Sequence, residues 1–205
     1  MKNVLFSLFL ILSSLYAKEN ALQAFKNKEY SKAFELYTLD AKDGNTTAFN
    51  ALSYLYFHGL GVKKDDAKGI ELLKKSAEKN DKNAEYDLGM MYLTGEYVPQ
   101  DAKQAFYYLS QASKHKHRDA EFNLALMYYN GDATESNITK SLELLEDAAN
   151  GGQKAAIANI GRIYMQDFQF DKATKWLKIN VKNGDEEARY LLQEIYTQKE
   201  NLHKN

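Results

Sequence analysis

Alanine, leucine and tyrosine recur at fixed positions in successive blocks of the chain. The blocks begin at Ala48, Ala84, Ala120 and Ala156, and a partial block begins at Ala188. The fifth position of each block holds Leu52, Leu88, Leu124, Ile160 and Leu192. The ninth position holds Tyr56, Tyr92, Tyr128, Tyr164 and Tyr196. Positions one, five and nine lie on one side of an α-helix, so the pattern predicts a first helix that packs these residues between neighbouring repeats.

The remainder of each block predicts a turn and a second helix. Three glycines are placed to end the first helix: Gly59, Gly95 and Gly131. Three residues stand where the second helix needs an N-cap: Asp65, Asp101 and Asn137. The second helices are expected to direct Leu72, Tyr108, Leu144 and Trp176 inward and to end near Asn80, Lys116, Gly152 and Gly184. Among these ends Lys116 is the exception, because lysine lacks the backbone freedom of glycine or asparagine.

A repeat of this length is the signature of a solenoid built from stacked helix pairs. The blocks are 36 residues long in the middle of the chain and 32 residues long from Ala156 to Ala188. The first segment has the same short turn as the last block, which suits capping repeats. The predicted organisation is an N-terminal capping repeat, three full repeats, a short repeat, and a C-terminal capping helix with a tail: residues 18–47, 48–83, 84–119, 120–155, 156–187 and 188–205.

Residues 1–17, MKNVLFSLFLILSSLYA, predict a signal peptide. A positive residue precedes a nine-residue apolar run that is too short to cross a bilayer, and the small residue Ala17 precedes Lys18. We therefore expect cleavage between Ala17 and Lys18, no stable membrane insertion afterwards, and a location in the periplasm or outside the cell. The chain has no cysteine, which excludes a cysteine-linked lipid anchor and a disulfide framework.

Charge and proline content narrow the class of protein further. The 27 basic and 28 acidic residues are interspersed and give a net charge of -1, so nothing favours nucleic acid as a partner. The only proline is Pro99, which agrees with a chain that is almost entirely helical.

The repeated segments resemble the SEL-1-like repeat family, a branch of the tetratricopeptide superfamily. The resemblance covers about residues 20–198 and is carried by ALSYLYFHGLGVKKDDAKGIELLKKSAE and its two successors, from Ala84 and from Ala120. Only the first block keeps the family's Gly-x-Gly-Val loop, because Tyr97 and Ala133 replace the second glycine later. The resemblance implies an all-α, right-handed alpha/alpha superhelix that acts as an adaptor for another protein or peptide, and it implies no cofactor.

Some secreted members of that family are described as penicillin-binding proteins or beta-lactamases, which gives an enzymatic alternative. The Ser-x-x-Lys pattern of penicillin-recognising enzymes occurs at Ser76 and Ser113, but the companion motifs Ser-Asp-Asn and Lys-Thr-Gly are absent. Those relatives are cysteine-rich, unlike this chain. His115 and His117 offer two metal ligands that do not share a helical face, so no metal site is predicted.

Two Asn-x-Ser/Thr sequons predict N-linked glycans at Asn45 and Asn137. Each asparagine follows an acidic residue by two positions, Asp43 and Glu135, which resembles the extended sequon of some bacterial oligosaccharyltransferases that act in the periplasm. The alternative is that these segments serve only to begin helices, with Asn137 as a helix cap and Thr47 as a residue that helps to start a helix.

Positions three and seven of the first helices predict where a partner binds. They lie off the Ala/Leu/Tyr stripe, and in the related tetratricopeptide fold the matching positions line the concave groove. The predicted partner-binding residues are Tyr54, Tyr86, Met90, Phe122, Leu126 and Arg162. Their apolar centre suits an apolar peptide segment, with Arg162 available for a carboxylate. The alternative is that Tyr86 and Phe122 pack on the second helix of the preceding repeat.

Overall fold

The computed structural model describes residues 20–202, which form eleven α-helices and no strand. Helix α1 covers residues 20–26 of the described range. It is followed by α2 (Tyr30–Lys42), α3 (Thr46–His58), α4 (Asp66–Ala77), α5 (Lys82–Thr94), α6 (Ala102–Lys114), α7 (Arg118–Asn130), α8 (Ile138–Asn150), α9 (Lys154–Gln166), α10 (Phe170–Lys182) and α11 (Glu186–Leu202). The predicted cleavage residues Ala17 and Lys18 lie outside the described range. Within that range, no helix has the length and apolar character that a membrane crossing requires.

The helices form two compact units, the first ending at Asp101 and the second beginning at Ala102. In each unit a helix packs mainly against its neighbours along the chain. The core of the first unit brings together Ala21, Ala24, Ala33, Tyr37, Ala48, Leu52 and Leu55. The core of the second unit is larger and includes Leu145, Ile160, Trp176, Leu177 and Ile195.

The predicted period is confirmed by the starts of the first helices. Helices α3, α5, α7 and α9 begin at Thr46, Lys82, Arg118 and Lys154, which are 36 residues apart. Helix α11 begins 32 residues after α9, as the shorter last block requires. The pairing of a first helix with a second helix in each block is also confirmed.

The packing stripe of the first helices is confirmed at two of its three positions. The five alanines are at most 1% exposed, and the fifth-position Leu and Ile residues are at most 8% exposed. The ninth-position tyrosines are not equivalent. Tyr164 is 1% exposed, Tyr196 is 45% exposed, and Tyr56, Tyr92 and Tyr128 are half-buried. A tyrosine in this column is therefore a core residue only where neighbouring helices surround it.

The inward face of the second helices lies one residue later than predicted. Leu72, Tyr108 and Leu144 are half-buried, whereas the residues that follow them are at most 3% exposed: Leu73, Leu109 and Leu145. In α10 both Trp176 and the following Leu177 are buried. Each of these second helices has two adjacent large residues, and the sequence pattern alone does not show which of the two faces a neighbouring helix.

The helix ends follow the predicted turn chemistry. The backbones of Gly59, Gly95 and Gly131 have φ of 62°, 79° and 81°, the left-handed conformation that glycine adopts without steric cost. Asp65 caps α4 by accepting a hydrogen bond from the Lys68 N–H, and α6 begins immediately after Asp101. Four further N-caps that the pattern did not single out are Asn45, Asp81, His117 and Gln153.

Several non-glycine residues also hold the left-handed conformation. Lys116, which the sequence marks as an exception, has φ of 58°. Tyr97 and Ala133, which replace the second glycine of the loop motif, have φ of 63° and 65°, close to the 70° of Gly61. The loop conformation is therefore kept after its glycine has been lost, at a steric cost of about 1–2 kcal/mol per residue.

Candidate binding surface on the first helices

Tyr54 is the most exposed of the predicted partner-binding residues. Its ring lies on α3, is 45% exposed, and stacks on the ring of His58 at a centroid distance of 4.0 Å. The ring of Phe25 meets it edge-on at 5.7 Å. The nitrogen Nδ1 of His58 donates to the Tyr54 carbonyl oxygen over 2.9 Å, which fixes the stacking partner. These contacts hold an accessible aromatic ring in one orientation.

Tyr86 and Met90 lie on α5 of the same unit, and both are half-buried. Asp87 lies between them in sequence. Its residue surface is exposed, but the surrounding protein desolvates its carboxyl group. This desolvation, with a smaller contribution from the negative charge of Asp81, raises the pKa of Asp87 to about 6. The Asn50 amide of α3 donates to the Asp81 carboxylate over 3.1 Å and so joins the two first helices.

Asp87→Asn is expected to stabilise the protein at pH 7 and not at pH 4. A carboxyl whose pKa is raised from its ordinary value of about 4 stabilises the fold below pH 4, and this contribution is lost as the pH rises through 6. Because the group is exposed, we expect a screened gain of no more than about 1 kcal/mol at pH 7. Urea denaturation from pH 4 to pH 8 measures it, and an equal gain at pH 4 would contradict the assignment.

In the second unit, Phe122 and Leu126 occupy the same two positions on α7, and both are half-buried. Phe122 packs against the core of its unit, which contains residues of α7 to α11, and its burial is incomplete. None of the predicted apolar residues is therefore fully buried, and none except Tyr54 is largely exposed. Their role in binding stays a prediction.

Arg162 is not available for a ligand carboxylate in the way the sequence suggests. Its guanidinium donates to Asp185 over 2.8 Å, to Glu187 over 2.9 Å, and to the Ala158 carbonyl oxygen. The hydrogen bond that Arg162 donates to Glu187 is the main cause that raises the pKa of Arg162, so the group stays charged and paired. Neither carboxylate is near Arg162 in sequence, and this is why the pattern missed the pairing.

A cavity of about 540 Å³ lies beside Ala158, the position-three residue of α9. Its other lining residues are Lys154, Ile157, Asn180, Asn183, Gly184 and Asp185. The buried Asn180 donates from Nδ2 to the Ala158 carbonyl oxygen over 3.0 Å, which fixes one wall. The earlier first helices carry Tyr86 and Phe122 at position three, and here the small side chain leaves the space open.

The Ser-x-x-Lys segments do not present an accessible nucleophile. Ser76 has no exposed surface, and its hydroxyl donates to the Thr46 carbonyl oxygen over 3.4 Å. Ser113 is 8% exposed, and the lysine three residues later, Lys116, is paired with Asp147 at 3.1 Å. Both serines lie on the packed side of their helices, so a substrate could reach them only after the repeat opened.

Of the two histidines, His117 belongs to a helix start, and His115 lies in the turn after α6. His117 caps α7, where its Nδ1 accepts a hydrogen bond from the Ala120 N–H over 3.3 Å. No cluster of three metal-ligating side chains is found among the described residues. Histidine is an unusual N-cap, which explains why the sequence pattern did not single it out.

Comparison with known proteins identifies the repeats. The Sel1 repeat model matches residues 49–81, 82–117 and 118–153, slightly more than half of the chain, and each match is offset by one or two residues from the predicted boundaries. No functionally curated protein matches the chain.

Solved structures support the same fold. The crystal structure of a Sel1 repeat protein from Oxalobacter formigenes is 27% identical, with a TM-score of 0.76 over 86% of this chain and 74% of that one. Helicobacter pylori cysteine rich protein B is 23% identical, with a TM-score of 0.51 over 63% of this chain and 93% of that one. The crystal structure of MamA protein is 22% identical, with a TM-score of 0.52 over 86% and 94% of the two chains. The last two likenesses concern the fold alone.

Proposed function

Because the chain belongs to the Sel1 repeat family, we propose that it is an exported scaffold that binds a segment of another protein along its first helices. Sel1 repeats are a protein-protein interaction fold, and this much holds for the family. The proposal adds the binding residues, which are positions three and seven of the first helices within each unit, and the compartment. Export is supported by the apolar run and small residue that precede Lys18.

The cavity beside Ala158 is the main observation that supports the proposed binding. A cavity of about 540 Å³ falls within the range of about 300–1,000 Å³ that is usual for ligand sites, so it has room for one or two side chains. Ile157 and Ala158 offer apolar contact, and the exposed Lys154 offers a positive charge. A partner segment with a large apolar side chain next to a carboxylate would match these groups.

Ala158→Tyr is expected to fill the cavity and abolish this binding. The new ring would take the place that Tyr86 and Phe122 occupy in the earlier repeats, and it would be accommodated because the site is open. Peptides selected from a displayed library on the wild-type chain are expected to carry an apolar residue beside an acidic one. Their affinity for Ala158→Tyr is expected to fall by at least about tenfold.

Lys178→Tyr is the matched control, since it adds the same ring at an exposed position of α10 that does not line the cavity. Circular dichroism of both variants verifies that they are folded. Selected peptides that bind Ala158→Tyr as tightly as they bind Lys178→Tyr would place the binding site elsewhere. Tyr86→Ala with Phe122→Ala tests the remainder of the surface in the same assay.

A further inference from the structure

Both acidic sequons occupy helix N-caps in the structure. Asn45 caps α3, where its Oδ1 accepts hydrogen bonds from Thr47 N–H at 3.0 Å and Ala48 N–H at 3.4 Å. Asn137 caps α8, where its Oδ1 accepts a hydrogen bond from Lys140 N–H at 2.9 Å. In each case the cap uses the oxygen, and within the described residues Nδ2 donates no hydrogen bond. The nitrogen that a glycan needs is therefore free while the cap is in place.

The two sites differ in what surrounds them. Every residue from Glu135 to Lys140 is exposed, and the first buried residue of α8 is Ser141. The connection that carries this sequon runs over seven residues, 131–137, between α7 and α8. An enzyme that grips five consecutive residues can therefore reach this segment, and it can lift the first turn of α8 without exposing the core.

The segment around Asn45 is held more firmly. Only residues 43–45 separate α2 from α3, and Asn45 and Thr46 are half-buried. The Thr46 carbonyl oxygen accepts a hydrogen bond from the Ser76 hydroxyl over 3.4 Å. Ala48 and Phe49, which follow the exposed Thr47 in the turn that must open, are buried. Lifting this turn would uncover part of the packed surface of the first unit.

We propose that Asn137 is an N-glycosylation site of the folded protein and that Asn45 accepts a glycan only when the chain is not yet folded. The reaction joins Nδ2 to the anomeric carbon of a sugar carried on a polyisoprenyl diphosphate. The bond between that carbon and the diphosphate oxygen breaks, the lipid diphosphate leaves with the electron pair, and the amide loses one proton. Glu135, exposed two residues before Asn137, supplies the acidic group that the extended sequon requires.

Transfer in vitro tests the site preference directly. The folded full chain is mixed with a purified bacterial oligosaccharyltransferase that requires the acidic sequon and with its lipid-linked oligosaccharide, and peptide mapping follows both sites. Asn137 is expected to be modified at least about tenfold faster than Asn45. Two synthetic peptides, residues 38–52 and 130–144, are expected to react at similar rates, because neither is folded. Equal rates at both sites of the folded chain, or no transfer to Asn137 while the peptides react, would overturn the proposal.

Two variants separate modification from folding. Asn137→Asp keeps an oxygen that caps α8 but removes the amide nitrogen, so it is expected to fold normally and to lose the glycan. Glu135→Gln changes one exposed residue and is expected to lower transfer to Asn137 without affecting the circular dichroism spectrum. Transfer that persists at the wild-type rate in Glu135→Gln would contradict the assigned role of the acidic group.

The mass of the protein purified from its own host completes the test, and here the proposal rests on the proposed export. Protein that begins at Lys18 and carries extra mass on Asn137 supports both the glycan at Asn137 and the export of the protein. Protein that begins at Lys18 with the bare peptide mass would overturn the glycan and leave export standing. Protein that retains residues 1–17 without added mass would overturn both.

Discussion

Gly61→Ala is expected to lower the free energy of unfolding by about 2–5 kcal/mol. Gly61 has φ of 70°, where an added Cβ costs about 1–2 kcal/mol. The added carbon would also lie 2.5 Å from the Ser31 nitrogen and the Tyr30 carbonyl oxygen, which belong to the backbone at the start of α2. A backbone cannot turn aside as a flexible side chain does, so overlap of this kind costs roughly a further 1–3 kcal/mol. Urea denaturation followed by circular dichroism measures the loss.

Ala133→Gly is the matched change in the opposite direction. Ala133 holds the equivalent loop position in a later repeat, with φ of 65°. Glycine removes the steric cost there but loses more conformational entropy on folding, so the expected net gain is about 0.5–1 kcal/mol. A loss at Gly61→Ala no larger than the gain at Ala133→Gly would mean that left-handed strain alone explains Gly61, and that the approach of α2 contributes nothing.

Tyr164→Ala is expected to cost about 3–5 kcal/mol, as for other large-to-small changes in a core. Tyr164 is 1% exposed within the core of the second unit, and the Lys172 ammonium lies 5.1 Å from the centre of its ring. Burial raises the pKa of its hydroxyl well above the ordinary value, and a hydrogen bond with Glu146 contributes further. Removing the ring leaves a cavity and takes the hydroxyl partner away from the half-buried Glu146.

Tyr196→Ala is the control, because it changes the same residue type in the same column where the ring is 45% exposed. We expect it to cost less than about 1 kcal/mol. The single tryptophan, Trp176, is buried in the core that contains Tyr164, so its fluorescence reports unfolding of that unit. Similar losses for the two variants would show that the tyrosine column stabilises each repeat equally, as its sequence regularity suggests.

The fold could be predicted from the sequence because its main determinants are local and periodic. The alanine and leucine columns alone locate the buried stripe of each first helix, and the glycines that follow locate its end. The pattern failed where contacts with a neighbouring helix decide which residue is buried. It assigned Leu72 and Leu144 to the inside, whereas the following residues, Leu73 and Leu145, are the buried ones. It also could not detect His117 and Gln153 as caps, since neither is a usual capping residue.

The candidate site was predicted less well, because a site depends on what lies opposite each side chain. The sequence placed Arg162 at position seven of α9 but could not show that Asp185 and Glu187 already neutralise it. It contained Ala158 as one small residue in a column where three of the other four members are aromatic, and only the structure shows the cavity beside it. The raised pKa of Asp87 likewise depends on surrounding protein that no local pattern records.

The packing of each helix against its chain neighbours has a consequence for folding kinetics. Contacts of short sequence separation need little loop closure, so each unit is expected to fold in the range of about microseconds to milliseconds. Proline isomerisation and disulfide formation are the two usual slow steps of folding. Only the first can occur here, at a single residue, because the chain has one proline and no cysteine. Refolding from urea in a stopped-flow instrument would therefore be dominated by fast phases. A chain that crosses a membrane unfolded, as the proposed export requires, could regain its structure from its N-terminus onward while it emerges, without an oxidase or a disulfide isomerase.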